Sequence, residues 1–151
     1  MKLKVFGILI ISLLLGCIIA AGSYPYAEKY KLNVSEDDLI DIIMELKRED
    51  ILQSPPFAID TGLPQKRGHW YHIDFYYQDK KEQVFCYVRR STKNTTTFAL
   101  VAINEGIVDG NWKDINTDFS CSENKERIAE FEERILSKIE QRIAERKKKL
   151  P

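Results

Sequence analysis

Two lysines, Lys2 and Lys4, stand directly before an apolar run that starts at Val5 and continues to Gly22. Only Gly7, Ser12 and the Gly16-Cys17 pair interrupt it. Such a stretch has no polar face to turn towards water, so it is a poor surface helix for a small domain. A basic flank followed by a short apolar segment is the pattern of an export signal. The fold must therefore be built from the residues beyond Ser23, and built outside the compartment where the chain is made.

The first part of the run, Val5 to Leu15, has the length of an export core, and it ends in Leu14-Leu15-Gly16-Cys17. These four residues resemble the lipobox of bacterial lipoproteins. The resemblance covers about the first seventeen residues and implies nothing for the rest. It implies that the Cys17 thiol carries a diacylglycerol and that the peptide is cut just before it. Residues 1–16 would then be a signal peptide, and Cys17 the lipidated first residue of the mature protein. Palmitate-type chains anchor stably when two or three act together, at about 0.8 kcal/mol per buried CH₂. Ile18 is not the aspartate that resembles an inner-membrane retention signal, which favours the outer membrane over the inner. Two other readings stay open. Val5 to Gly22 is long enough for an uncleaved signal anchor with the lysines inside. Ala20-Ala21-Gly22 would also suit ordinary cleavage and secretion. All three export residues beyond 23.

The remaining length suits one domain. With 44% hydrophobic and 30% charged residues, it should fold and not stay disordered. A formal net charge of zero gives no global pull towards nucleic acid, and no nucleic-acid partner is expected. The expected fold class is α+β: an N-terminal helix, a three-stranded antiparallel meander and a long C-terminal helix, together spanning 35–151. Residues 17–34 read as a lipid-anchored tether, with Tyr24, Tyr26 and Tyr30 placed either at the headgroups or on the domain.

Ser35 is a good N-cap, and Leu39, Ile42, Ile43 and Leu46 recur along one helical face until Pro55-Pro56 forbids continuation. Trp70 to Tyr77, Val84 to Arg89 and Thr96 to Asn104 are rich in aromatic and β-branched residues and are joined by short polar links. The segment 106–120 should return over the sheet with Trp112 and Phe119 as plugs. From Glu123 to Lys149 there is no Gly or Pro, and Ile128, Phe131, Ile135, Ile139 and Ile143 make one stripe with Ser122 as a plausible cap. At about 40 Å this helix should outrun a small sheet, so its last turns should project, as a solvated frayed end or, alternatively, as a partner surface.

Chemistry is sparse. The chain has two histidines, no Gly-x-Ser-x-Gly elbow and no glycine-rich phosphate loop, so no catalytic set is assigned and no cofactor is expected. His69 and His72 are three apart, which in a strand points them to opposite faces, so no metal site is expected. Cys86 and Cys121 are candidates for a disulfide in an oxidising compartment, which would stabilise the fold by about 4 kcal/mol; two separate thiols are the plainer alternative. On the first strand, alternation puts Trp70, His72 and Tyr76 on one face, and Trp and Tyr are enriched at contacts, so these three form a candidate partner surface. The plainer alternative is a sheet covered on both sides. Together the residues predict a small envelope lipoprotein with a non-catalytic binding or accessory domain and a protein partner. An immunity-type inhibitor of a toxin and an envelope-acting enzyme are the alternatives.

Overall fold

A computed structural model describes residues 24–56, 65–67, 69–106 and 110–149 of the 151-residue chain. The elements run β1 (Glu28–Leu32), α1 (Glu36–Arg48), β2 (Gln65–Arg67), β3 (Trp70–Tyr77), β4 (Glu82–Arg90), β5 (Thr96–Glu105), β6 (Trp112–Asp114) and α2 (Cys121–Phe131). A π-helical turn, Glu132–Leu136, then leads α2 into α3 (Ser137–Lys149). The fold class is α+β.

The expected three-stranded meander is the centre of a larger sheet. β3, β4 and β5 pair antiparallel as anticipated, but β2 extends β3 and β1 lies against the far edge of β5. A sixth strand, β6, shares that edge, pairing with Ala102–Asn104 while β1 pairs with Thr96–Leu100. The change of partner falls at Val101, where the β4–β5 register slips so that Phe85 faces Ala102 and Cys86 faces Leu100. Val101 is the extra residue of a β-bulge, which bends the strand and frees its carbonyl to accept from Ile115 N at 2.9 Å. β1 comes from the segment expected as a tether. Sequence pattern does not mark it, because its five residues hold only Tyr30 and Leu32 as inward apolar positions, and its partner lies some seventy residues away.

Both helices pack on one face of the sheet. There, Ile73 and Phe75 of β3, Val84, Cys86 and Val88 of β4, and Phe98, Leu100 and Ile103 of β5 meet Leu39, Ile42, Ile43 and Leu46 of α1 and Phe131, Ile135, Ile139 and Ile143 of the C-terminal helix. α1 begins at Ser35, whose hydroxyl accepts from Asp38 N at 3.2 Å, with three acids in its first turn. The C-terminal helix starts earlier than expected. Ser120, not Ser122, is its cap, in a reciprocal box with Glu123. Its apolar residues recur every four positions from Phe131 to Ile143. Four residues overshoot an α-helical turn by about 40°. The wider π turn, with Ser137 N bonded to Glu132 O, takes up that drift and keeps the stripe on the sheet.

α3 stays packed as far as Arg146, and beyond it Lys147 to Lys149 are exposed. Ile139 and Ile143 are buried, and Arg142 and Arg146 reach Glu45 of α1 at 3.1 and 2.9 Å, with Arg142 also 2.6 Å from Glu49. The plug from the 106–120 segment is Ile115, fully buried, with Phe119 partly buried beside the core; Trp112 is 36% exposed on the other side of the sheet. In the segment after α1, Gln53 O accepts from Tyr76 N on β3.

Candidate functional site

Among the described residues the second face of the sheet is open of helices but not bare: Tyr87, Ala99, Val101 and Ala102 are buried there, under Tyr24 and Ala27 from the chain before β1. Alternation along β3 puts Trp70, His72, Asp74 and Tyr76 there. β4 adds Phe85, Tyr87 and Arg89. β5 supplies small residues, Ala99 and Ala102, so the rings of the neighbouring strands have room to lie over the sheet.

The result is one aromatic cluster. Tyr24 stacks on Tyr87 at 5.6 Å and meets Trp70, His72 and Phe85 edge-on at 5.8–5.9 Å. Its hydroxyl lies 3.3 Å from His72 Nε2. Trp70 packs edge-on against Tyr87 at 4.4 Å, and the Arg89 guanidinium lies 4.7 Å over the Trp70 ring. Trp112, on β6, touches Phe85 at 6.1 Å. Of these rings Tyr87 is buried, while Tyr24, Trp70, His72, Tyr76 and Phe85 remain half-buried. Burial raises the Tyr87 hydroxyl pKa, an effect that Arg89 opposes. The three residues singled out from sequence therefore share the expected face. Tyr24 is the contact that sequence reasoning did not assign; its only signal was the density of tyrosine between residues 24 and 30.

The other candidates separate. Cys86 is fully buried under the helices and Cys121 is the exposed first residue of α2; both are free thiols, the plainer of the two readings. Mid-strand placement commits Cys86 to the core, and burial holds its thiol well above the usual range, which disfavours the nucleophilic thiolate. His69 is exposed and lines a cleft of about 590 Å³ with Glu36, Arg89, Arg90 and Lys93, apart from His72. Among the described residues no group of His, Cys, Asp or Glu is arranged to hold a metal, and no helix is long and apolar enough to cross a membrane. Cys17 and the Val5–Gly22 run lie outside the described residues.

One group near the core has unusual chemistry. Lys47 Nζ donates to the Asp74 carbonyl at 2.6 Å and lies 4.9 Å from the Phe75 ring centre. Burial pushes its pKa down from 10.5 to about 8, against an opposing pull from Asp74. The folded chain thus holds fewer protons than the unfolded chain between those two values, so this residue makes stability rise with pH across that window. Buried Cys86 and Tyr77, whose pKa values are raised, act in the opposite sense. Comparison with Lys47→Met isolates the lysine. The variant should gain on the parent at neutral pH, and the gain should shrink by about 3 kcal/mol as pH rises through the window. Urea unfolding of both proteins at several pH values reads this directly, and a gap that does not move with pH would show that the ammonium stays solvated.

The chain matches no family model, no curated protein and no solved structure.

Proposed function

We propose that this protein is a small envelope lipoprotein, held by acyl chains on Cys17. Its α+β domain is a non-catalytic binding module that contacts another component of the envelope through the open sheet face around Trp70, His72 and Tyr76. The observation that carries the reading is the half-buried aromatic face opposite the helices. A sheet that stacks six rings on its helix-free side leaves Trp70, His72, Phe85 and Trp112 partly accessible there, and aromatic residues dominate contact energy. No reaction is assigned. The thiol that the fold supplies inside the core is held protonated, and His72 is engaged by Tyr24. Anchoring on the periplasmic side, with the outer membrane favoured, rests on the lipobox-like residues and Ile18.

Labelled palmitate fed to cells making the full chain should enter the protein, and Cys17→Ser should abolish the label and move the protein from the membrane to the soluble fraction. A membrane form with the mass of the intact, unmodified chain would instead establish a signal anchor. For the contact itself, a photo-crosslinking residue at Tyr76 should give an adduct in native membranes that Trp70→Ala reduces while the variant keeps the circular-dichroism spectrum of the folded parent. Absence of any adduct would remove the face from the reading.

A further inference from the structure

The open face carries charge as well as rings: Lys29, Lys31 and Arg89, with Asp74 and Asp114 on the same side. On β1, Tyr30 and Leu32 point to the core, so Lys29 and Lys31 point to the open side, where both are exposed. Their register partners are Ala99 and Thr97, and Thr97 is in turn opposite Arg89. Lys31, Thr97 and Arg89 therefore form one row across three strands, ending on Trp70 beneath the Arg89 guanidinium. None of the three cations is ion-paired among the described residues. Three cations against two carboxylates leave this face a small positive excess beside the aromatic cluster.

The anchor constrains where this face can go. Tyr24 lies on it, and Tyr24 is seven residues beyond Cys17. That length reaches about 25 Å when fully extended. Trp112, 36% exposed, adds an amphipathic ring of the kind that settles at headgroup level.

We propose that the open sheet face lies on the membrane surface, with Lys29, Lys31 and Arg89 on anionic lipid headgroups and the Trp and Tyr rings at the interface. The inference rests on the lipoprotein reading and names the envelope component that this face contacts. The helices then face away from the bilayer.

The chain has two tryptophans, Trp70 and Trp112, and both are on this face, so intrinsic fluorescence reports on it alone. Full-length protein purified from membranes is reconstituted into vesicles whose acyl chains carry bromine, a short-range quencher. One set is phosphatidylcholine; the other is an equimolar mixture with phosphatidylglycerol. The expected result is strong quenching in the anionic vesicles, weak quenching in the neutral ones, and reversal by high salt. Lys29→Gln/Lys31→Gln, at two exposed positions, should lower the docked-to-free ratio by about fivefold per cation without moving the urea midpoint. Protein that sediments with the vesicles but stays unquenched overturns the docking and leaves the anchor standing. Protein that does not sediment overturns both. Quenching that is equal in the two vesicles, or unchanged by the double substitution, overturns the assignment of the cations. A crosslink from Tyr76 to a protein in place of phospholipid gives the face to a protein partner and overturns the docking.

Discussion

Arg127→Ala should lose about 3–5 kcal/mol of stability, read as a lower urea midpoint at unchanged slope. Arg127 closes a network between the C-terminal helix and the sheet. Both of its terminal nitrogens donate to Glu82 at 2.9 Å, one also donates to Glu105 at 2.8 Å, and Glu130 is 3.5 Å away. The losses differ by partner. Glu105 keeps Lys113, and Glu130 keeps Lys80 and Arg134. Glu82 has side-chain ion pairing only to Arg127 among the described residues and is 7% exposed, so alanine leaves a carboxylate stranded where water barely reaches. The sign of the effect comes from that stranded charge more than from the worth of the pair. Removing both partners, in Glu82→Gln/Arg127→Met, should therefore recover most of the loss. A single-variant loss below about 1 kcal/mol would mean that the network behaves like an exposed one.

A loss of similar size, about 3–5 kcal/mol, is expected for Phe131→Ala. Phe131 is fully buried and ends α2 where the π turn begins. Its ring lies 5.6 Å from Phe98 near the start of β5 and 5.7 Å from Tyr30 on the edge strand β1. Alanine would open a cavity at the point where helix, central strand and edge strand meet. Tyr30 is further tied to this helix through its hydroxyl, which donates to Glu132 at 3.1 Å. Loss should thus spread to β1, and amide exchange within Glu28–Leu32 should accelerate more than in β3 or β4. Phe131→Leu keeps most of the volume and should cost less than about 1.5 kcal/mol. Uniform acceleration across the sheet would show that β1 is no more dependent on this ring than the rest.

These two residues also show what could be read in advance. Phe131 belongs to an apolar stripe that periodicity identifies, because a helix can bury only the residues that recur on one side of it. Arg127 could not be read, since its partners come from β4 and β5, and no local pattern pairs an arginine with carboxylates 45 and 22 positions away. The open face divides in the same way. Alternation along β3 places Trp70, His72 and Tyr76 together whatever the strand packs on, but Tyr24 joins them only because the chain before β1 crosses the sheet.

The sequence by itself determined the α+β class, the central β3–β4–β5 strands, the apolar faces of the helices and the side of β3 that each ring occupies. All of these come from short-range rules: period, caps, turn residues and breakers. The tertiary structure alone decided the three short strands, the bulge at Val101, the docking of α3 on α1 and the separation of Cys86 from Cys121. Short strands carry too few side chains to mark themselves, and their stability comes from backbone pairing with a partner far along the chain. Which cysteines meet, and which face stays open, depends on where the helices land, and that is settled by packing the whole core at once.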